Sequence, residues 1–231
     1  MRRSCRLSRL RIVICAAHRC ERVGALRFQG QSEKLDDYLQ KTTIIDFDHQ
    51  DVADASERFK QSSASEADLV RRIYDFVRDE ISHSADINAQ EIPCKASEVL
   101  TAKHGICFAK SHLLAALCRA NGIPAGFCYQ KLRLTDEASP LVLHGLNAVY
   151  ISGAQRWIRL DARGNKPGVN AQFSLEQEMP AFPISEELGE IDFPMIYAVP
   201  DANVVGRLTQ YKTRDELWAD LPRELAGPHT T

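Results

Sequence analysis

Apolar positions keep a helical period in the first half of the chain and change to an alternating one after residue 125. Behind the polar run Lys60-Gln61-Ser62-Ser63-Ala64, which reads as a loop, Ser65 and Asp68 form a capping-box-like start. Leu69, Val70, Ile73, Val77 and Ile81 then recur at helical spacing, which predicts an amphipathic helix. Residues 82–93 have no period and read as a loop, and residues 96–102 predict a short helix leading into a turn at Gly105. The run from Cys107 to Asn121 is apolar nearly all round, as in a helix buried on most sides. Asn121-Gly122 ends it and Pro124 prevents its resumption.

Downstream, residues 127–134, 141–151 and 156–161 are β-type runs separated by turn-rich pieces, so an antiparallel sheet follows the buried helix. A further strand-like piece, Thr42-Thr43-Ile44-Ile45-Asp46-Phe47, lies upstream. The chain after Asp161 is rich in Gly, Pro and Glu through Glu190, then strand-like over 193–199. Thr213 with Glu216 starts a last helix carrying Leu217, Trp218 and Leu221. The expected fold is α+β: one domain over 31–231, with a core at about 65–165 and a cover over 166–231 packed on the sheet.

Composition narrows the classes without choosing among them. A chain of 231 residues, 44% hydrophobic and 26% charged, is ordinary globular material. A net charge of -2 gives no reason to expect a nucleic-acid or membrane-surface partner, and no apolar run reaches the length of a membrane span. Eight arginines do crowd the start, at 2, 3, 6, 9, 11, 19, 22 and 27, with Glu21 the only acid before Glu33. A transit-type segment, an export signal and an unpacked extension over 1–30 all fit this arm; its apolar stretch at 12–17 is short for a signal core, which favours the extension. Seven cysteines without framework-like spacing suggest reduced thiols and a cytoplasmic setting.

Three residues carry candidate chemistry. Cys107 opens the buried helix, where unpaired backbone N–H groups and the helix dipole favour a thiolate and can hold an oxyanion. Gly105 before it permits a tight approach. His144 and Asp161 lie on neighbouring strand-like runs, and a two-residue turn at Ser152-Gly153 would pair them directly across an antiparallel hairpin. A four-residue loop over 152–155 shifts the pairing by two and leaves Asp161 a diagonal neighbour on the same face. An odd loop without a bulge would separate them. On the even registers the carboxylate can orient the imidazole while its other nitrogen faces the thiol.

The remaining candidates are plainer. Cys118 and Cys128 read as small core residues. His104 and His112 flank Cys107 but cannot both share its face, and read as structural or solvent-facing. Cys94, His104, Cys107 and His112 lack metal-ligand spacing, so neither a metal nor a cofactor is expected. A second oxyanion donor or a substrate contact is sought among His83, Ser84 and Gln90 in the aperiodic loop, with Arg163 and Asn165 after Asp161 as possible cleft residues.

Gly105-Ile106-Cys107-Phe108-Ala109-Lys110, Leu143-His144-Gly145-Leu146-Asn147-Ala148-Val149 and Trp157-Ile158-Arg159-Leu160-Asp161 together resemble the transglutaminase-like superfamily over about residues 65–165. The resemblance implies a papain-like core in which a cysteine-bearing helix packs on an antiparallel sheet bearing His and Asp. It implies a Cys107-His144-Asp161 triad and acyl transfer from an amide, peptide or protein substrate through a thioester, to water or an amine. Many members place Trp soon after the His and Pro after the Asp, where Gly145-Leu146 and Ala162 stand here. The compact chain is similar to stand-alone prokaryotic members, for which peptidase or amidase activity is expected. The same fold can also serve as a non-catalytic peptide- or protein-binding module.

Overall fold

The computed structural model describes residues 28–135 and 139–227. The chain begins with a two-residue strand β1 (Gln29–Gly30), then folds through three helices, α1 (Gln50–Ser62), α2 (Glu66–Asp79) and, after β2 (Ser82–His83), α3 (Ala96–Ala102). The strand β3 (His104–Gly105) leads directly into helix α4 (Cys107–Ala120). The main sheet comes next: β4 (Ala125–Arg133), β5 (Leu141–Ile151) and β6 (Arg156–Leu160). After a long irregular segment come β7 (Ile191–Asp192), β8 (Met195–Ile196), α5 (Ala202–Gln210) and α6 (Arg214–Ala219). The main sheet is antiparallel throughout, in the order β6-β5-β4-β7.

Helix α4 is the centre of the molecule. It packs against α1, α2 and α3 on one side and against β4 and β5 on the other, so every residue from Phe108 to Arg119 is buried. Its polar side chains survive there because backbone carbonyls surround them. Arg119 donates to the carbonyls of Gln40, Ala125 and Ala198 at 2.6–3.1 Å. His112 Nδ1 donates to Cys94 O at 2.7 Å, and Asn147 on β5 ties Ser111 O to Gly126 O at 3.1 Å each. Helix α2 starts as its spacing predicts, with Ser65 accepting from the N–H of Asp68 at 3.2 Å.

Three expectations need correction. The polar stretch before residue 64 is not all loop: residues 50–62 form α1, whose buried side is only Val52, Ala55 and Ser56. So narrow an apolar stripe leaves no helical period to read, and the helix is held by docking on α4, where Ser56 Oγ accepts from Asn121 at 2.7 Å. Residues 42–47 are not a strand, because the Thr42 hydroxyl accepts from the N–H groups of Ile44 and Ile45 at 3.2 and 2.9 Å and folds the segment on itself. Finally, the unpacked extension expected over 1–30 does not reach residue 30. Gln29 and Gly30 pair in parallel with Met195 and Ile196, and the Arg159 guanidinium stands 4.0 Å from the Phe28 ring centre. Residues 1–27 of that arm lie outside the described residues.

The hairpin between β5 and β6 takes the longer even register. Ile151 faces Arg156 and Asn147 faces Leu160, with a four-residue connection closed by Gln155 in the left-handed region at φ 50°. The cover after Asp161 is bound to the sheet at both edges. Tyr197 exchanges two backbone hydrogen bonds with Phe127 on β4, and Leu143 on β5 donates to Pro222 O at 2.8 Å. Among the described residues no helix is long and apolar enough to cross a membrane.

Candidate active site

Cys107 is the first residue of α4, and Ile106 before it contributes no side-chain cap, so no side chain competes for the helix's leading N–H groups. The thiol is half-buried, unlike those of Cys94, Cys118 and Cys128, which burial pushes up to about 12 each. His144 projects from β5, and its Nε2 lies 2.9 Å from Asp161 Oδ2. Two-residue displacement of the hairpin register makes the pair diagonal neighbours, the geometry of the four-residue loop. With Nε2 engaged, Nδ1 is the nitrogen left for Cys107, whose sulfur interacts with the ring.

The electrostatics follow from this crowding. Burial works against a charged imidazole at His144, but the Asp161 carboxylate and then Cys107 outweigh it and carry the ring up to about 10. Burial likewise opposes the Asp161 charge, yet His144 and two backbone N–H groups hold it below the usual carboxylate range. Those donors are Ala181 at 2.8 Å on Oδ2 and Arg163 at 3.1 Å on Oδ1. Phe182, next to Ala181, stacks edge-on against the His144 ring with centroids 5.3 Å apart.

A cavity of about 550 Å³ opens over Cys107 and His144. One wall is apolar, with Leu134 and Val142 from the sheet end, Leu188 from the irregular segment, and Trp218 and Leu221 from α6 and beyond. The polar part of the lining includes His83, Arg163 and Lys166. The Arg163 guanidinium grips Asp86 with two contacts, at 2.5 and 2.9 Å, and Lys166 joins the same carboxylate at 3.0 Å.

Of the residues proposed for this cleft, His83 and Arg163 reach it and three others do not. Gln90 is turned away to hold α6: its side-chain amide donates to Asp215 at 3.2 Å and its backbone carbonyl accepts from Arg214 N at 2.7 Å. Asn165 closes its own loop through Ala171, at 2.7 and 3.1 Å, an ordinary polar turn. Ser84 is spent on His104 Nδ1 at 3.0 Å. His104 and His112 are both buried and structural. Among the described residues no group of three or more His, Cys, Asp or Glu is placed to hold a metal.

Sequence reading passed over Lys110. Its ammonium is fully buried one turn into α4 and donates to the carbonyls of Arg78, Ile81 and Arg163, the last at 2.9 Å. Burial, assisted by Arg163 and opposed by Asp161, Asp79 and Asp86, pushes the amine down to about 7. A lone lysine inside an apolar helical run was the available signal. Asp86 stands between the candidates Ser84 and Gln90, but its partner Arg163 is 77 residues away, and the Ala181 N–H lies 20 residues beyond Asp161, so neither contact had a local signal.

A cysteine at the start of a buried helix, packed on an antiparallel sheet that presents a histidine and an aspartate, defines a class of α+β protein. Residues 53–162 match the family described as the transglutaminase-like superfamily. No curated protein matches the chain. Among solved structures, the chain is similar to one from Cytophaga hutchinsonii named a "Putative Cysteine Protease". They share 22% identity with a TM-score of 0.46, over 57% of this chain and 43% of the other. It is also similar to the periplasmic domain of TgpA from Pseudomonas aeruginosa, at 18% identity and TM-score 0.38, covering 54% of this chain and 45% of that one. A structure named as a TGase matches at 21% identity and TM-score 0.36, over 63% and 37% of the two chains. The match thus spans less than half the length of each of these proteins, and likenesses this loose say nothing of the activity of this one.

Proposed function

We propose that the protein is a thiol-dependent acyl-transfer enzyme acting on amide or peptide bonds, with Cys107 as nucleophile, His144 as acid and base, and Asp161 as the group that orients His144. The observation that carries this reading is the 2.9 Å contact between His144 Nε2 and Asp161, which leaves Nδ1 to the thiol at the mouth of a shared cavity. In the forward step the Cys107 sulfur bonds to the carbonyl carbon and the carbonyl π pair moves onto oxygen. Collapse of this adduct breaks the C–N bond, and His144 hands its proton to the departing amine. The thioester is then cleaved by water or by an amine, whose proton passes back to His144. The apolar wall near Trp218 and Leu221 suits an acyl group with a bulky apolar side chain. A reducing, cytoplasmic setting is part of this proposal, on the seven cysteines that lack framework-like spacing.

Hydrolysis of p-nitrophenyl acetate and of a panel of peptide amides, with and without an amine acceptor, tests the proposal. Cys107→Ala should abolish turnover and keep the wild-type circular dichroism spectrum, because a half-buried helix-start residue contributes little packing. Cys118→Ala, which empties a fully buried position, should cost about 1–2 kcal/mol of stability and spare the chemistry. Turnover surviving in folded Cys107→Ala refutes this nucleophile. A chain that binds these amides without turning them over is the non-catalytic module of the same fold.

A further inference from the structure

We infer that His83 is a catalytic residue of this site, its Nε2–H serving beside the N-terminal N–H groups of α4 as the second donor to the oxyanion. The inference rests on the proposed acyl transfer at Cys107 and deepens it.

Placement comes first. His83 is the Cα partner of Gly105 in the short parallel pair β2–β3, two residues ahead of Cys107. Ser82 N donates to Lys103 O at 2.9 Å and Ser84 N to Gly105 O at 3.1 Å, so His83 is pinned from both sides to the segment that delivers the nucleophile. His83 lines the cavity that also takes in Cys107 and His144.

Protonation comes second. The backbone N–H of Ala85 donates to His83 Nδ1 at 3.3 Å, so Nδ1 is an acceptor and the ring proton sits on Nε2. Burial, then the neighbouring Arg163, push the ring down to about 3, with Asp86 opposing, so the imidazole stays neutral and does not compete with His144 as a base. No hydrogen bond within the described residues engages Nε2. His112, fully enclosed in the core, spends its Nδ1–H on Cys94 O, whereas His83 keeps its Nδ1 for a backbone N–H and lines an open cavity.

The Arg163–Asp86 ion pair supports this arrangement. The Asp86 N–H donates to His83 O at 2.9 Å while its carboxylate holds Arg163, so the backbone that carries the ring is tied to that pair. When sulfur adds to a carbonyl and the π pair moves onto oxygen, a neutral N–H at Nε2 stabilises the negative charge without giving up its proton. As the adduct collapses the pair returns to carbon–oxygen bonding and His83 is unchanged.

His83→Met and His83→Gln are close in volume and differ in whether an N–H can be presented. The expected result with p-nitrophenyl acetate is a loss in kcat of about 100- to 1,000-fold for His83→Met with little change in KM, and recovery of at least tenfold of that loss in His83→Gln. Iodoacetamide alkylation of Cys107 forms no oxyanion, so its rate should be the same in wild type and both variants. Equal turnover by the two variants, or alkylation falling in step with turnover, overturns the assignment. A wild-type protein that is alkylated at Cys107 no faster than a free thiol and releases no p-nitrophenolate overturns the acyl-transfer reading itself, and His83's role with it.

Discussion

Replacing Lys110 with Met removes a buried ammonium while keeping most of the side-chain volume, and the structure sets both the sign and the size of the effect. In the unfolded chain this amine titrates near its ordinary 10.5; folded, burial holds it near 7. Between those values the unfolded chain binds more protons, so folding becomes more favourable as pH rises from 7 towards 10 and loses that advantage as pH falls. At about 1.4 kcal/mol per pH unit, the whole gap amounts to about 5 kcal/mol, of which about 3–4 kcal/mol accrues between pH 7 and 10. Lys110→Met lacks this contribution. Other groups that titrate in the window, His144 among them, are present in both proteins and cancel in the difference. Urea unfolding of both at pH 7 and pH 10 should show the wild-type advantage growing by about 3–4 kcal/mol at the higher pH. A difference that stays constant across that window would falsify the account of a buried, depressed lysine. Activity should fall as well, because the Arg163 carbonyl loses its anchor and Arg163 N holds Asp161 Oδ1.

Two further outcomes follow from the same geometry. Asp161→Asn should lower turnover of p-nitrophenyl acetate by about 1,000- to 10,000-fold and move the alkaline limb of its pH profile downward, since the carboxylate leads the groups that raise the imidazole; an unmoved limb would separate Asp161 from His144 chemically. Gly145→Ala would set a Cβ 2.5 Å from Phe108 Cδ1, so a thermal melt should report a loss of about 1–3 kcal/mol and turnover should drop as α4 shifts; wild-type values for both would show that the ring yields freely.

Much of this arrangement is legible in the amino-acid sequence, and the rest is hidden for identifiable reasons. Cys107, His144 and Asp161 announce themselves because an even hairpin loop keeps two strand residues on one face whichever of its two lengths is used; only the choice between direct and diagonal pairing waits for the fold. Strands β4, β5 and β6 and helix α4 are long and strongly patterned, so their ends fall within two residues of those read from sequence, whereas the strand-like run over 193–199 holds only the two-residue β8, with β7 just ahead of it. Helix α1 hides because docking rather than periodicity holds it. Strands β1, β2 and β3 hide because two-residue pairs are made by backbone alone, which no side chain records. His83 shares that obscurity: it stands in a stretch without period, and what singles it out is its pairing with Gly105 and the Ala85 N–H on its ring. Gln90 looked equally suitable and is occupied by α6, a contact across more than a hundred residues.

The family match ends at residue 162, and the site does not. Ala181 supplies one of the hydrogen bonds that keep Asp161 charged, Phe182 braces the His144 ring, and Trp218 and Leu221 line the same cavity as Cys107. On the proposed function, the segment after residue 162 would both support the His144–Asp161 pair and shape the acyl-group pocket. A graft that exchanged residues 166–227 for the corresponding segment of another member would carry a new choice of acyl group onto an unchanged nucleophile. It would succeed only if the incoming segment also brought a backbone N–H to the aspartate.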